Sequence, residues 1–143
     1  MRLRRKLRTF FGMSSADRLL VCEATLLLAL AGLIVVMLPF GRLASWLARA
    51  PEKSGTADEV LLLRTRKAVT AAARNVPWNA VCLPQAIAAK VILARRGCGS
   101  SFHLGAAFDG KGKLTAHAWL EAGGTVVVGA AGIPSVTPLA RFG

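Results

Sequence analysis

The strongest constraint on how this chain can fold is an apolar run at residues 19–38, in which Glu23 is the only charged residue. Its uncharged part, Ala24–Leu38, is 15 residues long and is followed by Pro39. A helix that spans a bilayer needs roughly 20 apolar residues, and shorter runs are more often core helices or interfacial segments. Three alternatives stay open for this run: a buried or interfacial helix, a membrane anchor, or the apolar part of a signal peptide.

The chain is strongly basic. Its 143 residues include 19 basic and 7 acidic ones, which gives a formal net charge of +12. The densest basic cluster, Arg2–Arg8, precedes the apolar run, and this arrangement favours lipid headgroups as its partner. The sequence has no Tyr and no interleaving of basic with aromatic residues. It therefore argues against a nucleic-acid partner.

Three cysteines, Cys22, Cys82 and Cys98, form an odd set without regular spacing. Such a set argues against a disulfide framework and for a reducing compartment. We therefore expect a cytoplasmic protein, with the inner face of the membrane as the alternative location. Cys98, His103 and His117 lack the paired spacing of a zinc site. The sequence predicts no metal and no other cofactor.

A loop at residues 51–56 is the best candidate for a domain boundary. It divides the chain into residues 1–50, a basic arm with a hydrophobic helical segment, and residues 57–143, a second domain. Apolar residues at helical spacing predict two helices in the second domain, at about 57–74 and about 79–96. Helices followed by strands in this way predict the α+β class.

The last third of the chain predicts a small antiparallel sheet. Strands are expected at residues 102–108 and 114–121, and the second shows the alternation of a half-buried strand. Gly123–Gly124 fits a tight hairpin leading to a strand at residues 125–129. Beyond residue 132, glycine and two prolines suggest an irregular tail.

Cys82 and His117 are the candidate catalytic residues. Proline is tolerated only in the first turn of a helix, so Pro84 places Cys82 at or just before a helix start. A helix N-terminus and a nearby imidazole both stabilise a thiolate, and the unpaired N–H groups there can also bind an oxyanion. His117 would accept the thiol proton and later protonate the leaving amine. Trp119 is expected to pack against the helix, and His103 to have no chemical role.

Several short motifs of the sequence resemble one family. They are Pro77-Trp78, Cys82-Leu83-Pro84-Gln85-Ala86, Leu93-Ala94-Arg95-Arg96-Gly97, Leu104-Gly105 and Ala116-His117-Ala118-Trp119-Leu120-Glu121. Together with Glu23-Ala24 and Leu38-Pro39-Phe40, they resemble the B-type protein of lasso-peptide biosynthesis, a transglutaminase-like cysteine protease. The resemblance implies a papain-like helix packed on a small antiparallel sheet. It also implies that Cys82 is the nucleophile and His117 the base.

The same resemblance implies a substrate and partners. The expected reaction is leader-peptide cleavage in the maturation of a ribosomally made precursor, which frees the core amine for macrolactam closure by a partner synthetase. Residues 1–50 are too apolar for the leader-recognition domain that many members carry. A separate recognition protein is therefore expected to deliver the leader.

The third catalytic member is open at this point. The family places an Asp on the strand after the histidine strand, but the position facing His117, at Gly129–Ala130, holds no acid. Glu121, Asp109 or a backbone carbonyl are the alternatives that the sequence offers.

Two other functions also fit the sequence. Another papain-like amidase or acyltransferase, such as a cell-wall amidase, would share the order of Cys82 and His117, and export would favour it. A non-enzymatic membrane adaptor would instead use the basic arm and a possible membrane association through residues 19–38.

Overall fold

The computed structural model of the chain describes residues 2–49, 58–78, 81–108, 110–130 and 137–142. Within those ranges it contains helices and one antiparallel sheet, so the predicted α+β class is confirmed. The elements are α1 (Arg2–Phe11), α2 (Ser15–Met37), α3 (Phe40–Arg49), α4 (Glu59–Asn75), α5 (Cys82–Arg95), β1 (Ser101–Phe108), β2 (Leu114–Ala122), β3 (Thr125–Val128) and β4 (Thr137–Phe142).

The apolar run forms one continuous helix, α2. Ser14 caps its start, because its hydroxyl oxygen accepts a hydrogen bond from the backbone N–H of Asp17 at 3.2 Å. Apolar residues spaced three or four apart form its buried face: Leu20, Ala24, Leu28 and Ala31. This spacing is that of an amphipathic core helix, and α2 packs on both α4 and α5. The apolar run therefore contributes to the same core as the second half of the chain.

One charged residue fixes α2 to the end of α5. The Glu23 carboxylate lies 2.8 Å from a guanidinium nitrogen of Arg95 and 2.7 Å from one of Arg96. The hydrogen bond from Arg96 holds the pKa of Glu23 below its ordinary value. The loop predicted at residues 51–56 lies outside the described residues.

Both helices predicted after residue 57 are present. The second one, α5, begins at Cys82 and ends at Arg95, and Gly97 follows with a φ of 73°. Pro84 is its third residue, where the missing N–H breaks no helical hydrogen bond. The prediction that Pro84 fixes the start of the helix at Cys82 is confirmed.

The strands lie in the order β3-β2-β1-β4. The hairpin between β2 and β3 turns at Gly123 and Gly124, whose φ values of 57° and 78° suit a tight turn. Arg66 of α4 donates hydrogen bonds to the carbonyl oxygens of Val126 and, at 3.0 Å, Val127. The edge strand β3 is thereby tied to the helical layer.

The prediction of an irregular tail is wrong for residues 137–142. They form the strand β4, which pairs antiparallel with β1. Proline cannot donate to a strand ladder, but an edge strand tolerates it. Pro138 lies opposite Gly105, next to a shift in register. Residues 131–136, which precede β4, are outside the described part of the chain.

The two faces of the sheet carry different side chains. The face that joins the core with the helices includes Phe102, Leu104, Ala118 and Leu120. Successive strand residues point to opposite faces, so the positions between them belong to the other face: His103, Gly105, His117 and Trp119. This alternation decides which groups surround the candidate histidine.

Candidate active site

Cys82 is the first residue of α5. Val81, the N-cap, has an apolar side chain and makes no side-chain capping bond. The N–H groups of Cys82 and Leu83 belong to the first turn, where no carbonyl of the preceding turn can pair with them. A negative charge on the sulfur or on a nearby oxyanion would be stabilised there by backbone dipoles. The thiol is half-buried and packs against the core.

The other two cysteines lie in different surroundings. Cys98 is buried beyond the end of α5, and burial, with a smaller contribution from Asp58, raises the pKa of its thiol. Such a thiol stays protonated and is a poor nucleophile. Cys22 is exposed on the apolar helix α2. Of the three cysteines, Cys82 alone is at a helix N-terminus.

His117 is half-buried on β2 and is held by a main-chain carbonyl. Its Nε2 lies 2.6 Å from the carbonyl oxygen of Gly129. A carbonyl oxygen can only accept a hydrogen bond, so Nε2 carries the proton. In the neutral ring Nδ1 is then the unprotonated nitrogen, and it is the atom that can act as a base.

Glycine is the only residue type that fits at position 129. Its φ of 85° lies in the left-handed region. A Cβ built there would lie 2.5 Å from the carbonyl oxygen of Ala118 and 2.8 Å from Cβ of Trp119. The close approach of this backbone to β2 is what brings the Gly129 carbonyl within reach of His117.

Trp119 stacks against two imidazoles. Its ring centroid lies 5.1 Å from that of His103, nearly parallel, and 6.2 Å from that of His117. Trp119 is buried but does not belong to the core cluster that the helices share. The prediction that it packs against the helix is wrong, because the alternation of β2 turns it to the opposite face.

The alternatives for the third catalytic member are now distinguished by geometry. The Glu121 carboxylate lies 3.2 Å from Nε2 of His103, although the two groups do not have hydrogen-bond geometry. Asp109 lies outside the described residues. The contact made by His117 is with the carbonyl of Gly129. Of the alternatives that the structure describes, the backbone carbonyl is the one that contacts His117, and it belongs to Gly129, one of the two residues expected to face the histidine.

The two candidate catalytic side chains, those of Cys82 and His117, are not hydrogen-bonded to each other. In the described part of the chain, Sγ of Cys82 makes no hydrogen bond with the ring of His117. Cys82 packs against the core cluster, whereas His117 alternates with the core-facing residues of β2. Gly105 is the β1 partner of His117, so no side chain opposes the ring from that strand.

No metal site is found in the residues that the structure describes. No three His, Cys, Asp or Glu side chains lie close enough there to hold an ion.

A half-buried cysteine at a helix start, packed over an antiparallel sheet that carries a histidine, is an arrangement typical of papain-like thiol enzymes. The chain belongs to the transglutaminase-like superfamily, which it matches over residues 25–141. The match begins inside α2 and ends in β4. It supports a cysteine peptidase or acyltransferase kind of activity. Neither the curated proteins nor the solved structures contain a match to the chain.

Proposed function

We propose that this protein is a cysteine peptidase that removes the leader from a ribosomally made lasso-peptide precursor. Membership of the transglutaminase-like superfamily carries the proposal, together with a cysteine at the first residue of α5. The motifs around Cys82 and His117 support the lasso-peptide reaction in particular. A separate recognition protein would deliver the leader, and a synthetase would close the macrolactam.

In the proposed mechanism, His117 acts as the base and Cys82 as the nucleophile. Nδ1 of His117 takes the proton of the Cys82 thiol, and the thiolate attacks the scissile carbonyl. The N–H groups of the first turn of α5 hold the oxyanion of the tetrahedral intermediate. The core peptide leaves with the proton on its new amine, and the leader stays on Cys82 as a thioester. Water then attacks the thioester and releases the leader acid.

The proposal includes a closing step, because Cys82 and His117 are not hydrogen-bonded to each other in the free chain. Catalytic hydrogen bonds are often long or poorly aligned before substrate binds and tighten in the complex. Cys82 packs against the core, whereas His117 lies on the face of the sheet that points away from it, so the closing step has to move the start of α5 relative to β2. Binding energy from the leader, delivered by the recognition protein, would drive that rearrangement. The chain alone should therefore cleave the precursor far more slowly than the complex does.

The experiment is leader cleavage followed by mass spectrometry. Wild-type protein, Cys82→Ala and the matched control Cys22→Ala are each mixed with a precursor peptide and its recognition protein. We expect wild type and Cys22→Ala to make the same cut, and Cys82→Ala to lose at least about 10³-fold in rate. Circular dichroism and thermal unfolding of all three check that the fold is kept. Retained cleavage by Cys82→Ala would rule out the mechanism.

The exposed apolar face of α2 keeps one alternative open, a membrane adaptor without catalysis. An adaptor would give no cut with any precursor, and Cys82→Ala would be silent. An amidase or acyltransferase would instead depend on Cys82 but act on another carbonyl substrate. Precursor cleavage that depends on Cys82 therefore separates the leader peptidase from both alternatives, and Cys82-dependent turnover of another carbonyl substrate separates the amidase or acyltransferase from the adaptor.

A further inference from the structure

The side of α2 that faces away from the core is apolar and exposed. Many of its exposed aliphatic residues follow one side of the helix, among them Leu19, Leu26, Leu30, Leu33 and Met37. Cys22 lies on the same side and is also exposed. Only 22% of the apolar window of α2 is buried, although its mean hydropathy is 2.6. A continuous apolar surface of this length marks an interaction site.

Helix α1 precedes α2 in the chain and adds positive charge near the N-terminal end of α2. It has five basic residues and no acidic one, and Leu3, Leu7 and Phe11 form an exposed apolar line along it. Between α1, α2 and α4 lies a cavity of about 480 Å³, whose cationic lining residues are Arg2, Arg5, Lys6 and Arg74. The cavity offers four cations to an anionic group.

The chemistry of these two helices selects the partner. A second copy of the chain would bring two cationic α1 helices together. A surface that binds a protein usually has a polar rim around its apolar centre. After Glu23 no residue of α2 is charged, and the next charged residue in the chain is Arg42. Aliphatic side chains flanked by arginines complement acyl chains and anionic headgroups. We propose that α1 and α2 bind the interface of an anionic lipid membrane.

The contacts of α2 decide how it lies in that membrane. With 23 residues it is about 34 Å long, enough to cross a bilayer. However, its buried face is part of the domain core, and Glu23 is ion-paired with Arg95 and Arg96. Spanning would pull that face and those ion pairs out of the domain. Helix α2 therefore lies along the membrane surface with only its outer side in lipid.

The first test is flotation of the full chain with vesicles of neutral phosphatidylcholine or of phosphatidylcholine with about 30% phosphatidylglycerol. We expect at least about tenfold stronger binding to the anionic vesicles, weakened by salt. Leu26→Glu/Leu33→Glu should lose it. The matched control Val60→Glu/Leu114→Glu adds the same charge at exposed positions elsewhere and should keep it. Equal binding by both double variants, or no binding by the wild type, would overturn the proposal.

The second test measures depth. One protein carries a fluorophore on Cys22 in a Cys82→Ser background. A second carries it on position 33, in the variant Cys22→Ser/Cys82→Ser/Leu33→Cys. The depth of each fluorophore is measured by quenching with lipids brominated at different depths. The two positions are 11 residues apart, or about 16 Å along the helix axis. A helix lying on the surface gives both labels the same shallow depth. Depths that differ by most of that distance would show a spanning helix and overturn the proposed orientation. Neither test depends on peptidase activity.

Discussion

Cys82 is positioned by a few neighbouring residues, whereas His117 is positioned by residues that are distant in sequence. The helix start is fixed by Pro84, two residues after the cysteine, and by an N-cap without a competing side chain. The imidazole is held by Gly129, twelve residues later, which approaches β2 through a left-handed backbone. The position of the proposed nucleophile is therefore set by local sequence, and that of the proposed base is set by the tertiary structure. Changes around the histidine should affect activity through the geometry of the sheet.

Among the variants that test this comparison, the largest effect is expected from removing the proposed base. His117→Ala should lower the cleavage rate by about 10²–10⁴-fold, because the proposed mechanism has the His117 imidazole take the thiol proton. The matched control is His103→Ala, which removes the other imidazole stacked on Trp119. Cleavage rates with a saturating recognition protein check both variants. A similar loss in the two would show that stacking on Trp119, rather than base chemistry, is what matters.

The next effect tests how the histidine is positioned. Gly129→Ala places a methyl group against the backbone of Ala118 and Trp119 in addition to the left-handed strain of about 1–2 kcal/mol. Gly124→Ala has a similar φ of 78° but open space around it, so it should cost only the strain. We expect Gly129→Ala to lose more stability in urea unfolding and most of the cleavage activity. Equal losses would contradict a special role for the Gly129 carbonyl.

A smaller effect belongs to the ion pairs of α2. The lowered pKa of Glu23 means that its carboxylate stabilises the fold above the ordinary Glu range, and that this contribution is lost as pH falls through the lowered value. Glu23→Gln should cost roughly 1–2 kcal/mol near neutral pH. The difference from wild type should shrink as unfolding is repeated towards about pH 3. A difference that is independent of pH would exclude the ion pairs as its cause.

The smallest effect is expected from Glu121→Gln. Its carboxylate lies beside His103 and not beside His117, so it does not orient the base. The side chain is about 40% exposed, and such pairs contribute about 1 kcal/mol or less. Cleavage should stay close to the wild-type rate. A loss as large as that of His117→Ala would restore Glu121 as the third catalytic member.

The difference between local and long-range positioning also explains how much of the fold and the site the sequence predicts. The start of α5 and the hairpin at Gly123–Gly124 follow from Pro84 and from paired glycines, which act over a few residues. The sequence does not predict the strand β4, because Pro138 suggests a break unless its edge position is known. The bond from His117 to Gly129 and the stacking of Trp119 depend on which face of the sheet meets the helices. Alternation alone does not say which face that is.

The central claim is that Cys82 attacks the scissile carbonyl, and a trapped intermediate tests it most directly. Wild-type protein is mixed with precursor and recognition protein and quenched in acid, and its intact mass and peptide map are measured. We expect the leader joined through its C-terminal carbonyl to Sγ of Cys82 as a thioester that hydroxylamine releases. The thioester accumulates only if water attack is slower than acylation. A parallel reaction therefore contains excess hydroxylamine, whose nitrogen attacks the thioester in place of water, so that the Cys82 thiol is freed and the leader is released as its C-terminal hydroxamate. An adduct on another residue, or cleavage by Cys82→Ala, would contradict the account.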